Sequence, residues 1–262
     1  MTTRTAFGDV AILVPAAGMG VRLGPGQPKA LRELAGEALL VHAVRNLAAA
    51  PSTGLIVIAA PADDVDLVRD LLARFDVVVV AGGATRQESV ACALAAVPLD
   101  FDLVLVHDAA RCLAPPELVE SVAAALRAGS QAVIPVLPVA DTIKRVDDAE
   151  TVVETVDRSV LRAVQTPQGF RRDVLAAAHA SAAAQHTDDA GMVEAMGVRV
   201  TAVPGDDRAL KITRPFDLAV AAAVLASVPA APDTPPASAD SPNPPSPANP
   251  PSPASSPSAP ES

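Results

Sequence analysis

Positive charge in this chain is carried almost entirely by arginine, with 17 Arg against three Lys: Lys29, Lys144 and Lys211. A lysine kept in such a background marks a place where a compact point charge is useful, whereas arginine suits forked contact with oxyanions. Lys29 follows a small-residue loop, Ala16-Ala17-Gly18-Met19-Gly20-Val21, that also carries Arg22, and Pro28 stiffens the chain just before the lysine. Amides of such small residues can approach an anion closely. Together with two cations they make a cradle for a polyphosphate. The common nucleotide-loop patterns do not fit. Position 23 is Leu instead of the third glycine of a dinucleotide fingerprint, and the next strand ends Ile58-Ala59-Ala60 with no acid for a ribose. No Gly-Lys-Ser/Thr follows at the P-loop spacing.

Further groups follow in the chain. Gly82-Gly83-Ala84-Thr85-Arg86-Gln87-Glu88-Ser89 offers amides at a strand's end and a serine one turn into a helix, where it can bond a base or ribose. Asp108, in His107-Asp108-Ala109-Ala110-Arg111, leaves a hydrophobic strand and is a candidate Mg²⁺ ligand, since Mg²⁺ takes one or two carboxylates plus phosphates and water. His107 reads as a satisfied, half-buried histidine. Thr166, in Gln165-Thr166-Pro167-Gln168, is available to a phosphate, and Thr187-Asp188-Asp189 reads as helix-start chemistry. Lys211, in Lys211-Ile212-Thr213, is expected on a short strand.

The elements that must position these groups alternate. Continuous apolar runs at 10–15, 54–60, 76–81, 102–107 and 131–136 read as buried parallel strands. Amphipathic helices are expected over 39–50, 63–75, 85–97 and 116–128, the last opened by Pro115-Pro116 and ended by Gly129. The alternation predicts an α/β fold, a Rossmann-like, doubly wound and mostly parallel sheet, with ligands at the carboxyl ends of the strands. It breaks at 138–160, where strand-like pieces flank Asp147-Asp148 and predict a protruding β-arm. Helices near 171–184, 188–196 and 214–227 and a strand at 198–203 complete residues 1–228, the expected folded domain. Residues 229–262 hold 13 of the 26 prolines and almost no large apolar side chain, and are expected to be a disordered Pro/Ser/Ala-rich tail.

Composition narrows the classes. The formal net charge of −10 argues against non-specific binding of nucleic acid. No apolar run reaches the roughly 18 residues of a membrane span, and no signal peptide is visible. The two cysteines, Cys92 and Cys112, read as reduced thiols in a cytoplasmic protein.

Taken in order, Ala16-Ala17-Gly18-x-Gly20-x-Arg22 with Pro28-Lys29, Gly82-Gly83-x-x-Arg86-x-x-Ser89, His107 to Arg111, Asp141-Thr142-Ile143-Lys144, Asp157-Arg158, Thr166-Pro167-Gln168, Thr187 to Ala190 and Lys211-Ile212-Thr213 form a set. Over residues 10–227 the chain resembles the 2-C-methyl-D-erythritol 4-phosphate cytidylyltransferases. The resemblance implies transfer of CMP from CTP to that alcohol phosphate in non-mevalonate isoprenoid synthesis, on a fold of the nucleotide-diphospho-sugar transferase type. It implies that Ala16, Ala17, Gly18 and Gly20, with Gly83, Ala84 and Ser89, hold CTP, and that Arg22, Lys29 and Lys211 are catalytic. Asp108 would lie beside Mg²⁺ and substrate, with Ala109, Arg111 and Thr166 around the alcohol phosphate. The arm would cross to a partner in a homodimer, so that Thr142 and Arg158 complete the neighbour's site. Cys112 stands where the family often has proline, and Ala209 where many members have asparagine. Two other readings share features with this one: a ribitol-5-phosphate cytidylyltransferase, and a non-catalytic nucleotide-binding scaffold with the tail as its working end.

Overall fold

The computed structural model describes residues 8–18, 27–181 and 186–227. Gly20, Arg22 and the proline-rich tail, with the expectations placed on them, lie outside the described residues.

Strand β1 (Val10–Pro15) is followed by a small hairpin, β2 (Glu33–Leu34) and β3 (Glu37–Ala38), that leads into helix α1 (Leu39–Ala48). Then come β4 (Thr53–Ala60), α2 (Val65–Leu71), β5 (Val78–Ala81), α3 (Arg86–Ala95), β6 (Leu103–Val106), α4 (Pro116–Arg127) and β7 (Ala132–Pro138). The arm is β8 (Ile143–Val146) with β9 (Val152–Val156). It is followed by β10 (Arg162–Val164), β11 (Gln168–Arg171), α5 (Arg172–Ser181), α6 (Asp189–Ala195), β12 (Val200–Pro204) and α7 (Pro215–Ser227).

Strand β1 pairs in parallel with β4 and β6, and β4 with β5. This is the doubly wound, mostly parallel arrangement that the sequence predicts. The continuous apolar run of β1 is used on both faces: Val10, Ile12 and Val14 pack into one core, Ala11 and Leu13 into the other. Helices α1 and α4 cover the first face, and α3, α5 and α6 the second.

Residues 162–171 depart from the sequence reading. Two strands absent from that reading form here: β10 and β11 run antiparallel to β7, and β11 is inserted between β7 and β6. The pairing partner on β7 slides by two residues between β10 and β11, across the cis Thr166–Pro167 peptide. The proline and glycine hide this strand from a propensity reading. Gly169 is required there by packing, because a Cβ on it would stand 2.4 Å from Val122 Cγ1 of α4. The helix expected over 63–75 is a single turn of 3₁₀ helix at Ala62–Asp64 followed by α2, which is shorter. No strand forms at residues 211–213; the Ile212 amide makes a single long-range hydrogen bond, donating to the Ala110 carbonyl at 2.9 Å.

Other boundary signals act as expected. Pro116 opens α4, and Gly129 ends it with φ of 106°. The arm turns at Asp147, whose carboxylate accepts from the Ala149 and Thr151 amides. Among the described residues β8 and β9 pair only with each other.

His107, just beyond β6, is fully buried where half burial is expected. Its Nδ1 shares a 3.2 Å hydrogen bond with Thr166 Oγ1. Burial pushes its pKa down to about 4, against the pull of Asp108. The ring is therefore neutral at pH 7 and keeps this end of the sheet tied to the 165–167 turn. The unfolded chain takes up its proton near pH 6.5, the folded one only near 4. Across that window the unfolded state binds more protons, so stability is complete above about pH 6.5 and falls as pH drops toward 4. Denaturant titrations should show a loss on the order of 3 kcal/mol from this group between those values, absent in His107→Asn. An unchanged acid slope in the variant would contradict the assignment.

Candidate active site

The carboxyl ends of β1, β5 and β6 open onto one cavity of about 250 Å³. From the β1 side it is lined by Ala16, Ala17 and Gly18, from the β5 side by Gly83, Ala84, Thr85, Arg86 and Ser89, and from the β6 side by Asp108, Ala109 and Ala110. Lys29, Lys211 and Thr213 close it.

The first wall is built by main-chain hydrogen bonds. The Ala16 amide donates to Ala59 O at 2.8 Å, and the Lys29 amide to Gly18 O at 3.2 Å. The second contact brings Lys29 back beside the loop it follows in sequence. The second wall approaches closely: a Cβ on Gly82 would lie 2.9 Å from Ser89 Oγ and 3.0 Å from Ala17 Cβ. Only glycine lets the two loops meet in this way. Helix α3 then starts on a capping box, with the Thr85 hydroxyl accepting from the Glu88 amide and the Glu88 carboxylate from the Thr85 amide. Ser89 is buried; its hydroxyl accepts from the Gly83 amide at 3.2 Å and donates to Thr85 O at 2.9 Å. Its first duty is to hold the Gly82–Thr85 loop in shape.

The third wall carries the charge. Asp108 Oδ2 lies 2.8 Å from Lys211 Nζ, and its Oδ1 accepts from Arg86 Nε at 3.2 Å. Its amide donates to Thr166 Oγ1 at 3.0 Å. Burial works against the Asp108 charge, but Arg86 and Lys211, with Arg111, outweigh it and hold the carboxyl well below the usual range. Arg86 donates a second hydrogen bond, from Nη1 to Asp189 Oδ2 at 2.6 Å. Burial alone would weaken the guanidinium charge, and the two carboxylates raise its pKa instead. Among the described residues lining the cavity, three are cations, Lys29, Arg86 and Lys211, and one is a carboxylate, Asp108, with Asp189 behind the wall sharing Arg86. That surplus suits a polyanion.

Lys29, Lys211, Asp108, Ala109, Ser89, Gly83, Ala84 and Ala16 to Gly18 are therefore gathered in one place, as the sequence places them. Arg111 and Thr166 stand behind the wall. Arg111 donates to Ala209 O at 2.7 Å and Val164 O at 3.0 Å, and burial lowers its pKa. Thr142 and Arg158 lie on the exposed arm, away from the cavity lining; Arg158 donates to Ala140 O. Asp206 caps the 3₁₀ turn that follows it, accepting from the Arg208 amide at 2.8 Å, and neither Asp206 nor Asp207 lines the cavity. Ala209, where the family often has asparagine, contributes its carbonyl.

Two residues outside the sequence-derived set belong with the site. Arg86 begins α3, where the helix dipole disfavours a cation. A lone arginine at that position signals a carboxylate partner. Asp189 corrects the helix-start reading of Asp188-Asp189. Asp188 is the cap, accepting from the Gly191 amide at 3.0 Å, whereas Asp189 is wholly buried and pairs with Arg86. Two adjacent acids at one helix start need only one cap, which is the signal that the other has separate work.

Comparison with known proteins identifies the family. The family model for 2-C-methyl-D-erythritol 4-phosphate cytidylyltransferase matches residues 10–227. The chain is 57% identical over 224 residues to the protein of that name from Frankia casuarinae, covering 86% of this chain and 84% of the relative. It is likewise 57% identical over 224 residues to that from Saccharopolyspora erythraea, covering 83% of this chain and the whole of the relative. The crystal structure of the Thermus thermophilus protein of that name superposes with a TM-score of 0.67 at 37% identity, covering 82% of this chain and 98% of the other. The chain belongs to the 2-C-methyl-D-erythritol 4-phosphate cytidylyltransferase family.

Proposed function

We propose that the chain joins the cytidylyl group of CTP to 2-C-methyl-D-erythritol 4-phosphate and releases pyrophosphate. The observation that carries this reading is the set of cations around Asp108 at the strand ends, in a chain matched along residues 10–227 by the family. The alcohol phosphate is the nucleophile. Its second pKa is about 6, so it is already dianionic near neutral pH and needs no general base. Its oxygen attacks the α-phosphorus of CTP in line, the new P–O bond forms, and the bond to the pyrophosphate oxygen breaks. Neutral His107, buried and not among the residues lining the cavity, is consistent with a reaction that requires no proton relay.

The barrier then lies in bringing anions together and in charge building on the α-phosphate and the leaving group. Arg22 and Lys29 supply positive charge to the triphosphate, and Lys211 to the attacking phosphate. Ala16, Ala17, Gly18 and Gly20, with Gly83, Ala84 and Ser89, hold the nucleotide. Ala109, Arg111 and Thr166 shape the place of the alcohol phosphate.

A divalent cation such as Mg²⁺ fits the donor set. Asp108 is the one carboxylate among the described residues lining the cavity, and no cluster of three or more His, Cys, Asp or Glu side chains stands ready for a metal among them. That is the pattern of an ion held mainly by phosphate oxygens and water, with a single protein carboxylate. When bound, it neutralises phosphate charge beside Asp108.

The arm supports a homodimer with shared sites. A two-stranded hairpin alone is marginally stable, and β8–β9 exposes Val146, Val152 and Val153. A partner subunit that covers this surface would receive Thr142 and Arg158.

Lys29→Ala or Arg22→Ala should lower kcat by ~10²-fold or more, the scale of losing one preorganised donor. Pyrophosphate release with CTP and either methylerythritol phosphate or ribitol 5-phosphate measures this and separates the two cytidylyltransferase readings. Near-normal turnover in both variants would contradict the assignment, and absence of any release would favour a scaffold. A mixture of inactive Arg158→Ala and Lys29→Ala chains should regain activity through hybrid dimers, each with one intact site. No recovery after proven subunit exchange would argue that Arg158 serves its own chain.

A further inference from the structure

A line of ion pairs and hydrogen bonds runs from the cavity into the protein. Lys211 Nζ is 2.8 Å from Asp108, Asp108 is 3.2 Å from Arg86 Nε, Arg86 Nη1 is 2.6 Å from Asp189, and Asp189 Oδ1 is 3.1 Å from His179 Nε2. The first three line the cavity; Asp189 and His179 do not. Asp189 has no exposed side-chain surface, so its charge is tolerable only because it is paired. It is not needed as a cap, since Asp188 fills that place. His179 stands in the last turn of α5 and is almost as buried.

The link through Arg86 has a geometric consequence. A guanidinium is planar and its donors keep fixed spacing. With Nη1 on Asp189 and Nε on Asp108, the place of one carboxylate sets the place of the other. His179 fixes Asp189 from the opposite side. We propose that Asp189 and His179 are positioning residues for the transfer reaction, acting through Arg86 on the Asp108 carboxylate and, through it, on Lys211. The assignment rests on the function proposed above, because its activity readout is that reaction.

The test is a double-mutant cycle on the full chain. Asp189→Asn should lower kcat by about 10- to 100-fold, the scale of a slightly misplaced reacting group, with KM for CTP changed less than about twofold. In an Arg86→Gln background the same substitution should change kcat less than about twofold, because the intermediary is gone. Arg86→Lys, which keeps the charge but cannot bridge both carboxylates, should not restore kcat. If Asp189→Asn does not fold, His179→Gln enters the same cycle with the same expected coupling. A second readout is independent of activity. With only three lysines, reductive ¹³C-methylation gives few signals, and that of Lys211 should move in Asp189→Asn but show no further change when Arg86 is already Gln. Multiplicative losses in the two backgrounds, normal kcat in Asp189→Asn, or a Lys211 signal indifferent to Asp189 would each overturn the proposal. Should the unaltered chain release no pyrophosphate, the reaction assignment fails while the Lys211 signal still judges the positioning.

Discussion

Asp108 can stay charged at the floor of the cavity because Arg86 and Lys211 stand against it. Much of the arrangement around the site follows from that requirement. Arg86 must sit at the start of α3, in a place the helix dipole disfavours, and so needs Asp189 as well. Lys211 must be brought from the far end of the chain, and the Ile212 amide on Ala110 O brings it. The Asp108 amide needs Thr166, which needs the turn between β10 and β11, which is held against His107. A chain of formal net charge −10 thereby concentrates positive charge where an anion has to bind. Local placement of charge prevails over the sign of the whole.

The fold meets this requirement with ordinary materials. Strand β1 is buried on both faces, so its end is fixed by two cores. The loops after β1 and β5 approach to van der Waals contact because Gly82 has no side chain. The capping box at Thr85 and the Ser89 hydroxyl supply the hydrogen bonds a tight loop would otherwise lack. These hydrogen bonds define the loop's shape from the chain's own groups.

Much of this was legible in the order of residues. Parallel strands announced themselves as apolar runs, and Lys29 and Lys211 stood out against an arginine background. The arm could be read from a polar stretch too long for a connection. Strand β11 was not legible, because Pro167 and Gly169 carry loop signals that close packing against α4 overrides. The segment at Lys211 reads as a strand because local sequence cannot distinguish one long-range hydrogen bond from a ladder. Asp189 was hidden for a related reason. Its neighbour explains the helix start, and only a third dimension reveals that the two acids face different surroundings.

The docking of Ile212 onto Ala110 carries a consequence for biosynthesis. The group that completes the charge balance at Asp108 is translated after nearly all of the folded body. Arg86 and Asp108 are made about a hundred residues before Lys211. Until the final segment emerges and clips into place, the cavity lacks one of its cations and Asp108 one of its two partners. The pairing of Asp108 is thus completed late in synthesis, and a polypeptide ended before Lys211 leaves that carboxylate with one partner of two.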